Sequence, residues 1–371
     1  MSIHSYDWLT TASRTPAPQD GDPAVTTLLE NIHVPKYIDR VIRPEFISNL
    51  ALVAALIALC VWFSSRTPNF LTPSNVVTLI DNCAALGILI VPFTLLVICG
   101  HTDFSVGSNA ALSATTAAIS ITSWHWPEWA GLILAICIST AIGVVNGFLC
   151  VIIGFNPIIV TLGMLSVIRG ATLISHQDQI FGIGPLTESL GSATIASVPV
   201  TTWLALACFV AGGLFLTYAP WGRHIFAIGI NPTAAYLAAL RVRQIPFLLY
   251  AVTGTCAGLS GIVFMARLNG VSPGTTGDGM EFAALTIVLL GGVAFAGGRG
   301  SLAGVFVAWL FLATLNNGLV LLNVTPYVQT VSSGLALVVA AALDRFGSTV
   351  IPWLSGLWTR REPQGPQPTG H

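Results

Sequence analysis

The residues of this chain that could do chemistry are few, and they stand in an apolar background. Asp103 lies between two hydrophobic runs, Arg169 interrupts a third, and Glu281 opens a short one. An ionised side chain is costly in hydrocarbon, so each must be solvated, paired or hydrogen-bonded. For Asp103 the simplest arrangement is a cap on the helix that follows, its carboxylate accepting from the N–H of Ser105 or Val106; direct contact with a solute is the other reading. Arg169 is expected to pair with Asp178, Glu188 or a backbone carbonyl. Asn146, Asn156, Thr161, Asn316 and Asn317 are uncharged polar groups within apolar runs. Such side chains either bond between helices or line a path for a polar solute. Asn156 precedes Pro157, which lacks a backbone donor and marks a mouth or a helix break.

A glycine-rich stretch, Gly291 to Gly304, raises the question of phosphate binding. That chemistry needs GxxxxGK followed by Ser or Thr. The sole lysine, Lys36, lies in HVPKYI with no glycine near it, so ATP hydrolysis and a bound cofactor are not expected of this chain. Glycines 291, 292, 297, 298 and 300 instead suit a sharp turn beside closely approaching helices. The histidines are scattered, and no metal site is expected. Cys60, Cys83, Cys99, Cys137, Cys150, Cys208 and Cys256 fall singly, without a CxxC pair, and read as small apolar residues.

The elements that must position these groups follow from composition. Hydrophobic residues make up 54% and charged residues 8% of the 371 positions, with a mean hydropathy of +0.81. Soluble domains carry roughly a quarter charged residues. The chain therefore reads as all-α, a polytopic integral membrane protein of about ten transmembrane helices, each crossing needing about 20 apolar residues. The expected spans are 47–63, 83–100, 105–123, 129–153, 156–174, 200–218, 245–267, 280–293, 301–322 and 324–343. The fifth, broken by Arg169, and the short eighth are the weakest. Residues 1–46, mixed in Pro, Asp, Thr and charge, read as a cytoplasmic N-terminal segment rather than a cleaved signal peptide. Residues 47–345 form the transmembrane domain, with a loop at 219–244, and 346–371 a cytoplasmic tail that is disordered from Glu362.

Basic residues set the orientation, since positive loops stay in the cytoplasm. With both termini cytoplasmic, Arg14, Lys36, Arg40, Arg43, Arg223, Arg241, Arg243, Arg299, Arg345, Arg360 and Arg361 fall inside, and only Arg66 and Arg267 outside. An odd number of spans would put the basic tail outside. Trp124, Trp126 and Trp129, with Trp353 and Trp358 past the last span, fit an interfacial aromatic belt. The absence of a basic patch argues against a nucleic-acid partner.

The longest cytoplasmic loop, 220–244, reads PWGRHIFAIGINPTAAYLAALRVRQ. Ala234 to Leu240 reads as a short helix capped by Asn231. By spacing alone an ordinary basic retention loop is as good a reading as a functional one. Its Gly222, Arg223, Phe226, Ala227, Gly229, Asn231, Ala234 and Ala235 resemble the cytoplasmic loop of the ribose-type permeases of ABC importers, a family that also takes xylose, arabinose, fructose and autoinducer-2. Ile230 and Ala239 depart from it, each standing where that family usually has glycine.

Two further motifs agree. GHTDFSVGS, which holds Asp103, Ser105 and Gly107, resembles the family's Gly-x-x-Asp-Leu-Ser-Val-Gly-Ser, with Phe104 in place of Leu. GGVAFAGGRGSLAG, which holds Gly297, Gly298 and Gly300, is similar to its glycine-rich turn before the penultimate span. The resemblance spans roughly residues 65 to 345. It implies a permease in the bacterial inner membrane that passes a small sugar, with a cytoplasmic ABC ATPase receiving the short helix. An extracytoplasmic sugar-binding protein and a second permease copy or paralogue, forming a dimer in membrane lipid, are implied as well. An ion-coupled secondary transporter, using Asp103 or Glu281, is the alternative from another class. A passive channel stands behind both.

Overall fold

The computed structural model describes residues 44–359, with side chains placed over 50–342. The segment before Pro44 and the expected disordered stretch from Glu362 lie outside the described residues. The chain divides into two units, Met1–Ile47 and Ser48–His371, and the helical bundle belongs to the second.

The described elements are nearly all helical: α1 (Pro44–Arg66), α2 (Pro73–Ile98), α3 (Val106–Thr122), α4 (Glu128–Gly147), α5 (Pro157–Ser175), α6 (Pro185–Ser192), α7 (Val200–Tyr218), α8 (Pro220–Ile230), α9 (Pro232–Leu237), α10 (Gln244–Leu268), α11 (Met280–Leu290), α12 (Leu302–Leu321) and α13 (Pro326–Thr359). Many open on proline, whose missing N–H costs nothing in the first turn. Thr72, Asn156, Asn231 and Ser301 cap α2, α5, α9 and α12 by accepting a backbone N–H. Beyond Gly147 the α4 helix widens into a π-turn, Phe148–Ile153, that ends on left-handed Gly154. Two short antiparallel pairs, unexpected from the sequence, complete the fold: β1 (Ile180–Phe181) with β4 (Gly270–Val271), and β2 (Thr194–Ile195) with β3 (Val198–Pro199).

Among the described residues six helices are long and apolar enough to cross a membrane: α2, α4 with its π-turn, α5, α7, α10 and α12. Leu50–Arg66, Met280–Leu290 and Pro326–Ala342 are shorter apolar helices. The expected third span is present as α3, but its apolar character is diluted by Ser108, Asn109, Ser113 and Thr115, all buried against neighbouring helices. The expected eighth span, α11, has 11 residues, about 16 Å at 1.5 Å per residue, roughly half a hydrocarbon core. The second begins ten residues before the expected position 83, because Thr72 and Pro73 start the helix and Asp81 is neutralised by Arg267 at 2.8 Å. The last helix continues to Thr359, beyond the expected end at 343.

The buried core gathers on α2 and α10. From Cys83 to Ile98 every residue of α2 except Leu86 is buried. α10 meets α4 where Gly254 faces Gly143, and meets α3 where Gly261 lies on the backbone of Ala110. Small residues let these backbones touch, which is how helices associate where no water drives them together.

Candidate functional site

At one end of the bundle the three glycine-bearing motifs meet. The N–H of Gly298 donates to the carbonyl of Ile98, at the end of α2, at 2.7 Å. A methyl group on Gly229, in α8, would collide with that same carbonyl and lie 2.5 Å from the Gly298 nitrogen. A methyl on Gly297 would lie 2.8 Å from the Gly100 Cα, and one on Gly298 would lie 2.8 Å from the Ile230 nitrogen. Gly100, Gly297 and Gly298 also have φ of 86°, 86° and 76°, where side chains are strained. Gly300 completes the turn against Val293. Segments 69 to 200 residues apart in sequence thus meet largely backbone to backbone, with the Ile230 side chain packed alongside.

The segment that follows projects from this junction. Gly222 turns tightly against the Leu216 carbonyl, and Ile225 and Ile228 of α8 are buried. Asn231 Oδ1 accepts from the Ala234 N–H at 3.0 Å, capping α9. Ala235 is buried, whereas Arg223, Ala234, Tyr236 and Leu237 are exposed, Leu237 by 80%. Ala227 and Leu240 are half-buried.

Just past Ile98 the chain turns through a buried polar knot. Asp103 Oδ1 accepts from the Ser105 N–H at 2.9 Å and from its hydroxyl at 2.6 Å. Asn146 Nδ2, from α4, donates to Ser105 Oγ at 2.8 Å and reaches Asp103 at 3.3 Å. Tyr250 of α10 donates its hydroxyl to the Thr102 carbonyl at 3.0 Å. The Asp103 bond closes the turn ahead of α3. Gly107 makes room for Glu281 and the Gly277 carbonyl, either of which a methyl would strike.

The other polar candidates separate. Asn156 is exposed and caps α5 through the Ile158 N–H at 3.0 Å. Thr161 is buried, its hydroxyl donating to the Pro157 carbonyl at 2.8 Å. Arg169 Nη1 donates to the carbonyls of Pro273 and Thr276 at 3.2 and 2.8 Å, the carbonyl option among its expected partners. Asn316 and Asn317 line a cavity of about 320 Å³ between α2 and α12, together with Asn75, Thr78 and Asn82. Asn75 and Asn317 exchange amide hydrogen bonds at 3.0 and 3.1 Å.

A family model described as "Branched-chain amino acid transport system / permease component" matches residues 75–341. The chain belongs to this permease family. It is 33% identical over 293 residues to the ribose import permease protein RbsC of Bacillus subtilis (strain 168), covering 78% of this chain and 90% of that one. It is 31% identical to the D-allose transport system permease protein AlsC of Escherichia coli (strain K12), covering 80% and 89%. It is 30% identical to the autoinducer 2 import system permease protein LsrD of Klebsiella pneumoniae, covering 84% and 95%. No solved structure matches it at a significant level. With six long apolar helices among its described residues, this sugar-type ABC permease is a multi-pass protein of the inner membrane.

The two departures of this permease from the family pattern have structural consequences. Ala239 has φ of 60°, the left-handed region that favours glycine. It closes α9 in a Schellman turn, the Leu240 N–H donating to Ala235 O at 3.0 Å and the Ala239 N–H to Tyr236 O at 2.9 Å. Ile230 has no such strain and packs over Gly298. Sequence reasoning missed Asn75 and Asn82, seven residues apart on one face of α2, because they precede the expected start of that span. It also missed the Ile98 carbonyl, which no side-chain pattern announces.

Proposed function

We propose that this chain is the membrane-spanning permease subunit of an ABC importer that passes a small sugar, a pentose or hexose, across the inner membrane, driven by a separate cytoplasmic ATPase. The observation that carries the reading is the junction of Ile98, Gly229 and Gly298, which joins the exposed α8–α9 segment to the end of a core helix. A docked helix on the cytoplasmic side can then move α2 and the glycine turn without slack. Gly222, Arg223, Ala227, Gly229, Asn231, Ala234, Ala235 and Leu240 form the coupling segment. The exposed Tyr236 and Leu237 suit an apolar groove on the ATPase.

Ten crossings, by α1 to α5, α7 and α10 to α13, put both termini in the cytoplasm with the glycine junction. The Asp81–Arg267 pair then lies toward the outer side, where an extracytoplasmic binding protein delivers sugar. The relatives' printed substrates, ribose, D-allose and autoinducer 2, support a small polyhydroxylated solute. A second permease copy or paralogue would give the two ATPase sites equivalent docking segments.

The test is to purify the assembled complex, reconstitute it and measure sugar uptake with ATP hydrolysis. Gly229→Val, or deletion of Ala234 to Leu240, is expected to abolish sugar-stimulated hydrolysis and uptake while the chain still inserts. Wild-type uptake in either variant refutes the coupling role. One observation favours ion-coupled transport instead: Glu281 Oε2 is buried without a hydrogen-bond partner among the described residues. Uptake that collapses with an uncoupler at constant ATP would select that reading.

A further inference from the structure

α2 and α12 run antiparallel, with Asn75 opposite Asn317 and the Cys83 carbonyl accepting from Trp309 Nε1 at 3.0 Å. Between these two crossing points lies the cavity of about 320 Å³, within the size range of small-molecule sites. Its lining is graded. The Asn75–Asn317 end carries Asn316 and Thr78, and Asn82 lies toward the Trp309 end, which apolar groups such as Leu86 and Leu312 close. The amides are unequally occupied. Asn75 and Asn317 satisfy each other, and Asn75 also donates to the Phe70 carbonyl at 2.8 Å. Asn82 gives its oxygen to Arg267, which leaves the Nδ2 hydrogens available. Asn316 is half-buried with no partner among the described residues.

Unpaired amides facing hydrocarbon are costly, so this wall faces water or a polar solute. A monosaccharide ring has the matching anatomy. Its vicinal hydroxyls offer a donor and an acceptor side by side, as a carboxamide does, and its C–H faces suit the apolar end.

We propose that the α2–α12 cavity is a transient binding site for a monosaccharide within this chain. Asn316 and Asn82 are the standing contacts, and the Asn75–Asn317 pair is a clasp that the sugar's vicinal hydroxyls replace. The clasp satisfies itself when no sugar is bound, so two of the four amides lose nothing when the sugar leaves and it is not held tightly, as transport requires. This assignment rests on the sugar-permease reading and adds where the sugar pauses.

The experiment uses the assembled complex in proteoliposomes with D-ribose, D-allose and L-arabinose as probes. Asn316→Leu is expected to lower uptake at least tenfold for the sugar that wild type carries, with basal ATP hydrolysis retained, and Asn316→Gln to recover part of it. In a separate arm Asn316→Cys is labelled with a small thiol reagent and read on the peptide 302–321, which contains no native cysteine. The transported sugar is expected to slow that labelling several-fold during turnover, and mannitol to leave it unchanged. Wild-type uptake in Asn316→Leu, or labelling of Asn316→Cys that ignores the sugar, overturns the site while leaving the permease reading intact. A wild-type complex that moves none of the three sugars, while Asn316→Cys labels at a rate that none of them changes, overturns the sugar-permease reading and the site with it.

Discussion

The two ends of α2 are built on opposite rules. At Ile98 the helix ends in a junction where backbone meets backbone, Gly298 donating to its carbonyl and Gly229 lying against it with no space for a methyl group. At Asn75, some 23 residues earlier, contact with the neighbouring helix passes through amide side chains around a cavity. The first end has almost no side-chain torsions between the touching backbones, so a displacement of α8 meets α2 directly. The second has rotatable amides that can exchange partners while the helices keep their places. On the proposed function, one helix would offer a stiff end for force and a compliant end for recognition, and the difference lies in which residues are allowed to have side chains.

The strongest challenge to this contrast is to add bulk at the stiff end. Gly229→Val should cost about 3 kcal/mol or more in the thermal stability of the solubilised complex, because the neighbour it strikes is backbone and cannot rotate away. A midpoint equal to wild type would mean that the junction has slack. Next is Asp103→Ala, close to the same end, which strips the partner from two Ser105 donors and from Asn146. It should destabilise by about 2–3 kcal/mol, read by the same melts. A smaller effect of opposite sign belongs to Ala239→Gly, which removes the left-handed strain at the end of α9. It should stabilise by about 1 kcal/mol; a loss of stability would show that Ala239 is not strained. The smallest effect belongs to the compliant end. A double-mutant cycle on Asn75→Ala and Asn317→Ala should give a coupling of about 0.6 kcal/mol, typical of polar pairs between membrane helices. A coupling several times larger would make the clasp a structural rivet.

Much of this was legible in the sequence, for reasons that differ by residue. Long apolar runs announce α4, α5, α7, α10 and α12 because hydrocarbon admits little else. The Asn231 cap followed from local chemistry, and so did the bond from the Ser105 N–H to Asp103. But that bond closes the turn before α3 rather than capping the helix, and α9 spans Pro232–Leu237 instead of 234–240 because Ala238 and Ala239 leave the helical conformation. Less legible was α2, whose first turns hold Asp81 and Asn82 and look too polar until Arg267, from a distant helix, is seen to serve both. Likewise Asn146 and Asn317 look alike in sequence. One closes the Asp103 knot and the other lines a cavity, a distinction made only by tertiary contacts. The two small sheets were invisible, since strands of two residues carry no periodicity.

Arg169 carries a consequence for how the chain is made. Its guanidinium serves carbonyls that lie 104 and 107 residues downstream. A ribosome delivers α5 to the bilayer long before it delivers Pro273 or Thr276, so this cation enters the lipid unaccompanied. Insertion scales put that burden at up to about 2.5–3.5 kcal/mol, and the leucines and isoleucines around it must carry the burden until the later segment arrives. Biogenesis of this protein therefore passes through a stage in which a half-made chain shelters a charge for a partner not yet translated.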